Sequence, residues 1–193
     1  ERADALPHII VTRLADDTTF EISFKEEAYS LGLAGGYEYA TDTLRFVYSS
    51  MATPEQTYDY DMKTGDRVLR KEQEVPSGHN AEDYVTRRIL GTSHDGKPIP
   101  ISLLYRKSTP IDGSAPVLLY GYGSYGITIP AAFSTARLSL VDRGFIYAIA
   151  HIRGGMAGGY RWYADGKMER KKNTFRDYIA ALEKLIADGY AQP

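Results

Sequence analysis

The 193-residue chain is 43% apolar and carries 18 glycines and 9 prolines, the makeup of one or two folded domains and not of a low-complexity segment. A net charge of −2 at pH 7 gives no basic field for nucleic acid or an anionic membrane surface, and no apolar run approaches the roughly 18 residues of a membrane span. Cysteine is absent, which excludes disulfides and thiolate metal sites and fits a reducing, cytoplasmic compartment. No cofactor or metal is expected. Sixteen tyrosines against six phenylalanines point to β structure with half-buried, hydrogen-bonded rings. No signal-peptide pattern opens the chain, and its first residue is not Met, so it reads as a processed protein or an internal piece.

The first 75 residues predict short strands between polar turns. Ile9–Leu14 and Phe20–Phe24 form a hairpin around Ala15-Asp16-Asp17-Thr18, and the second alternates Phe20, Ile22 and Phe24 with polar residues. Tyr29–Leu33, Arg45–Ser49, Thr57–Asp61 and Arg67–Glu72 follow, separated by turns at Gly35-Gly36, Thr53-Pro54-Glu55 and Lys63-Thr64-Gly65-Asp66. Strands at such spacing suggest a sandwich or propeller blades. At roughly 40–45 residues per blade this is one and a half to two blades, too few to close a core.

Val75-Pro76-Ser77-Gly78-His79-Asn80 is a turn-rich joint, and the domain boundary is placed there, dividing 1–78 from 79–193. Tyr84–Ser93 and Ile99–Tyr105 predict a hairpin through Asp95-Gly96. Pro98 and Pro100 put the start of its second strand at a sheet edge or a bulge. Val117–Tyr120 and Phe145–Ala150 are apolar runs that predict strands buried on both faces, with a mixed segment, Phe133–Asp142, between them. Thr174–Asp188 predicts a helix. Phe175, Tyr178, Ile179, Leu182, Leu185 and Ile186 form its apolar stripe, Asn173 or Thr174 its cap with Asp177 completing a capping box, and Gly189 its C′ residue. Strand, segment, strand, helix is the alternation of a parallel α/β sheet.

The first apolar run ends in Gly121-Tyr122-Gly123-Ser124-Tyr125-Gly126, at the edge where α/β sheets bind ligands. It spells G-x-G-x-x-G, but a dinucleotide site needs a helix to begin in that turn. Ile127-Thr128-Ile129-Pro130 follows instead, β-branched and ended by proline, and Asp142, the acid about 20 residues on, lies before the next strand. The nucleotide reading fails on context.

Fixed short motifs run in order through Asp83-Tyr84-Val85-Thr86-Arg87-Arg88, Leu119–Gly126, Leu138–Phe145, Ala148–Gly155, Trp162-Tyr163 with Asp165-Gly166-Lys167, and Lys171–Phe175. In these the chain closely resembles the catalytic domain of the prolyl oligopeptidase family, in detail its oligopeptidase B branch. Residues 1–78 resemble the end of the family's β-propeller, including Tyr48-Ser49-Ser50 and Asp59-Tyr60-Asp61. The resemblance implies an all-β propeller segment followed by an incomplete α/β-hydrolase domain, and a serine peptidase that cuts short peptides after Arg or Lys. Tyr122 maps onto the family's oxyanion-hole donor, and Tyr125 onto a position lining the substrate cleft. The family's nucleophile sits in a G-x-S-x-G elbow, which the chain lacks. Serine, aspartate and histidine of the triad are therefore expected past Pro193, and residues 1–193 alone are expected to be inactive.

The expected partners are a peptide substrate and the remainder of the parent chain. Of the four histidines His151 tempts most as a base, but the family motif places it in a structural loop that borders the cleft. Pro130 and Ala132 stand where some relatives carry an acidic pair, which argues against a dibasic preference, and Met156-Ala157 stands where the family has Gly-Glu. Arg161, Lys167, Arg170, Lys171 and Lys172 read as a solvated basic face. The alternatives are a non-catalytic peptide-binding module on the same scaffold and, more remotely, an esterase.

Overall fold

Alternating apolar and polar residues with tight polar turns give the first 72 residues only antiparallel pairings. The computed structural model describes residues 1–36 and 38–193. Strands β1 (Arg2–Ala3) and β2 (Leu6–Pro7) pair, and β3 (Ile10–Arg13) pairs with β4 (Thr18–Glu21). A four-stranded meander follows: β5 (Tyr29–Leu33), β6 (Thr43–Ser50), β7 (Gln56–Asp61) and β8 (Arg67–Glu72). Its core holds Ile9, Ile22, Tyr29, Phe46, Tyr48 and Tyr60, with Phe24 stacked 4.5 Å from Tyr48. The outer strand β8 is exposed throughout and carries Arg67, Arg70 and Lys71, charges that discourage edge-to-edge pairing. β4 starts and ends earlier than its alternation suggests, because Arg13 pairs with Thr18 and leaves four residues for the turn. There the Asp16 carboxylate accepts from Thr18 N at 3.2 Å and Asp17 takes a φ of +55°.

The second half builds a sheet in the order β11-β12-β10-β9, from β9 (Tyr84–Thr92), β10 (Pro98–Arg106), β11 (Val117–Tyr120) and β12 (Ile146–Ala150). β9 and β12 each run antiparallel to β10, and β11 lies parallel to β12. The prolines of β10 sit where only β9 pairs with it. Pairing to β12 begins at Ile101, so this central strand is one-sided over its first residues, as the missing N–H groups require.

β12 is buried on both faces, as its composition predicts. β11 is not. It is the outer strand of the four, so its side chains are half-buried and Tyr120 reaches solvent. One sheet face, with Ile99, Ile101, Leu103, Ile146 and Ala148, packs on α3 (Lys172–Ala187) through Ala181 and Leu185. The other, with Leu104, Tyr147 and Ile149, packs on α1 (Thr135–Val141) and on Ala28, Met51 and Ala52 of the first half. Thus one hydrophobic layer spans both halves.

The mixed segment is helical as α1, whose Leu138 and Val141, three apart, are too short a run to show a period. A short α2 (Tyr160–Ala164) precedes α3. Two features of α3 depart from its sequence pattern. It begins before Asn173 and Thr174, and no side chain caps it, since Thr174 and Asp177 are buried and bonded elsewhere. Its buried face is Thr174, Asp177, Ala180, Ala181 and Leu185, leaving Phe175, Ile179 and Leu182 exposed. Its end follows the pattern: Gly189, at φ +77°, donates to Ile186 O, and Tyr190 N to Leu185 O at 2.8 Å.

Candidate active site

The glycine turn leaves the carboxyl end of β11 and is fixed by backbone packed directly on backbone. Gly126 N donates to Gly154 O at 2.9 Å, and Gly154 N donates to Trp162 O at 3.0 Å. A Cβ at Gly154 would meet Gly123 O at 2.0 Å, and one at Gly166 would meet Gly154 N at 2.1 Å. Only glycine permits the three turns at 121–126, 151–155 and 165–166 to stack so closely. A Cβ at Gly123 would strike Thr174 Cγ2 at 2.4 Å, so α3 closes the stack from below. Thr174 Oγ1 lies 2.8 Å from Arg153 O and 3.1 Å from Gly166 O, and Tyr178 donates its hydroxyl to Leu119 O at 2.7 Å. Lys171 Nζ donates to Gly123 O and to Ser124 Oγ. Lys171 is therefore a brace of the turn and not part of a solvated face, and desolvation holds its pKa below the usual lysine value.

Beneath the turns lies a group whose role no motif announces. Arg153, 2% exposed, donates from Nε to Asp177 Oδ2 at 2.8 Å and from Nη2 to Asp177 Oδ1 at 2.6 Å, a bidentate pair with a fully buried carboxylate. Its Nη1 donates to Asp95 Oδ2 at 2.6 Å, and Ser93 Oγ donates to Asp177 Oδ1 at 2.6 Å. Asp95 thus stays below the usual carboxylate range, chiefly through its bond to Arg153. The network joins the β9–β10 turn, the end of β12 and α3. In the sequence its one trace is polar Asp177 standing in line with the helix's apolar positions.

On this base the two tyrosines project outward. Tyr122 is 41% exposed at the sheet edge, and Tyr125 is 84% exposed with φ +55°. Tyr125 borders a cavity of about 370 Å³ with Ser124, Tyr163, Lys167, Met168 and Lys171. Met168, on the same rim, also has positive φ, and Lys167 Nζ lies 4.5 Å from the Tyr163 ring centroid. Non-glycine residues held in this region cost of order 1–3 kcal/mol each, and such strain clusters at functional sites.

His151 is away from this rim and sealed. Its Nε2 lies 2.8 Å from buried Ser102 Oγ, and burial drives its pKa down to about 3. Among the described residues no three His, Asp or Glu side chains come together to hold a metal ion. No helix is long and apolar enough to cross a membrane among the residues described.

A four-stranded antiparallel blade that leads into a mixed sheet with a glycine turn after its parallel strand defines a propeller segment joined to the start of an α/β-hydrolase domain. Residues 1–73 match the N-terminal β-propeller domain of prolyl oligopeptidases, and residues 131–193 match the prolyl oligopeptidase family. The chain belongs to that family. It is 47% identical to dipeptidyl aminopeptidase BI of Pseudoxanthomonas mexicana over 192 residues, 99% of this chain and 26% of that protein. Protease 2 of Moraxella lacunata is 33% identical, with 90% of this chain and 25% of that protein aligned. Oligopeptidase B of Trypanosoma brucei, solved with covalently bound antipain, superposes with a TM-score of 0.89 at 42% identity, over 100% of this chain and 28% of that one. The chain spans about a quarter of the length of these relatives.

Proposed function

We propose that the chain is part of a serine peptidase of the oligopeptidase B type that cuts short peptides after Arg or Lys, with Tyr122 as oxyanion donor and Tyr125 lining the substrate cleft. The observation that carries this is the rigid seat of Tyr122. Its backbone is held by glycine contacts on both sides, so an exposed phenol is presented at a ligand edge without reorganisation. When a nucleophile attacks a peptide carbonyl, negative charge gathers on the oxygen. A prepositioned O–H that meets it there is worth ~3–4 kcal/mol in the transition state. His151 is unsuited to be the base, because its neutral ring is buried and does not protonate near neutral pH.

The nucleophile, its base and its acid are assigned to the parent outside residues 1–193, as is the pocket that reads the basic residue. The boundary is placed between 78 and 79. Its compartment is read as the cytoplasm, on the lack of cysteine.

In the full-length parent, Tyr122→Phe is expected to lower kcat by about 10²–10³ with KM little changed. An unaltered kcat would remove Tyr122 from the chemistry. The name of the Pseudoxanthomonas relative raises release of dipeptides as a second reading. A peptide with a blocked amino terminus and one internal Arg separates the two: cleavage after Arg supports the present proposal, whereas attack only on unblocked peptides, two residues at a time, supports the other.

A further inference from the structure

Four buried side-chain atoms lack a hydrogen-bond partner among the described residues: Thr86 Oγ1, Arg88 Nη1, Arg88 Nη2 and His151 Nδ1. All belong to one face of the sheet. Thr86 and Arg88 alternate along β9, Arg88 stands directly opposite Ser102 of β10, and Ser102 meets His151 beyond the end of β12. The propeller segment covers this face with Ala28, Met51 and Ala52. Two acids approach β9 from that side: the Glu27 carboxylate accepts from Arg88 N at 2.9 Å and pairs with Arg87 Nε at 3.2 Å, and Asp4 acts on the Arg88 guanidinium through its charge without a hydrogen bond or ion pair to it. The guanidinium of Arg88 is left with both terminal nitrogens sealed from water and no carboxylate on them.

The chemistry of the orphans is one-sided. Arginine only donates. In the tautomer that an acceptor at Nδ1 selects, the Ser102 hydroxyl donates to Nε2 and neutral His151 donates from Nδ1 as well. A water offers two acceptor sites and adds two donors to be satisfied, whereas an anion accepts from every side and cancels the buried charge.

We propose that this buried cluster between the propeller segment and the hydrolase sheet is an anion site, in which Arg88 and His151, with Thr86 at the margin, hold a compact acceptor-only group. Chloride and a carboxylate from chain outside residues 1–193 share that chemistry. The site is distinct from the tyrosine rim and independent of the peptidase reading.

The test is a crystal structure of the full-length parent grown in bromide, with thermal unfolding in chloride against the bulky anion gluconate at equal ionic strength. A bromide peak at the Arg88 terminal nitrogens, together with a midpoint raised by about 2–4 °C in chloride and not in an Arg88→Met variant, marks a free ion. A carboxylate seated on Arg88, with no chloride dependence, marks the tethered source and also supports the site. Water alone on Arg88 overturns the proposal. So does a bromide peak without chloride dependence, which is binding at crystal concentration only. The crystal readout needs no variant, so misfolding of Arg88→Met would not blunt the test.

Discussion

Arg153 shows how one buried side chain can tie several distant turns together. Its guanidinium has four of its bonds on Asp177 and Asp95, and its carbonyl receives Thr174, so a single side chain sets the level at which three turns meet. Removing one partner of such a pair strands the other charge in a dry site. Asp177→Asn should therefore cost about 3–5 kcal/mol of stability, read by urea unfolding. A loss below 1 kcal/mol would mean that water reaches Arg153. The sequence displays the arginine between apolar and glycine residues. It does not display the partners, which lie 24 and 58 residues away and are joined only by the fold.

Among the elements, β5 and β8 begin and end where alternation and turn residues place them, because both are bounded by strong turn chemistry. Helix α3 was legible in existence and in its glycine stop, but not in the face it buries. Periodicity ranks positions by hydrophobicity, whereas the sheet accepts small Ala180 and Ala181 for close approach and Thr174 and Asp177 for their hydrogen bonds. The six-residue apolar stripe is rotated partly into solvent as a result. In the 193-residue chain Leu185→Ala should cost about 2–5 kcal/mol. Ile179→Ser should stay within about 0.5 kcal/mol, as for an ordinary surface site. Equal losses in chemical denaturation would place Ile179 in a core. The Tyr122 turn was legible as a turn, while the outward set of its tyrosines, the strain at Tyr125 and the Lys171 brace were not, since none follows from local residue type.

Across the whole molecule, titration sets limits on both sides of neutrality. Asp59 is held down to about 2, first by its bond to Arg45, and Asp95 is lowered by Arg153. Both are depressed relative to an unfolded value near 4, so the stability they confer is present above about pH 4 and is lost below it, for Asp59 as the pH falls toward 2. Burial and then the bond to Asp142 push Tyr84 up to about 12, and burial raises Tyr48. Their contribution is present below an unfolded value near 10 and is lost as pH rises from 10 toward 12. Burial keeps His151 neutral down to about pH 3 against an unfolded value near 6.5, so stability also falls as the pH drops below about 6.5. Unfolding free energies measured from pH 2 to 12 should therefore form a plateau only between about pH 7 and 10, and equal stability at pH 7 and pH 4 would contradict it. Purified residues 1–193 should show no turnover of Arg-containing amides, and measurable hydrolysis by them would mean that the reacting groups lie inside the chain. Finally, the turn bearing Tyr122 leans on Lys171 and Thr174, which follow Gly123 by 48 and 51 residues. During synthesis that stretch of chain must emerge before the turn has anything to rest against. Closing so long a loop is an entropic step that short-range strand pairing does not face. The Tyr122 edge is accordingly translated early and shaped late, and a ribosome stalled between residues 126 and 170 would expose β11 and its tyrosines unsupported.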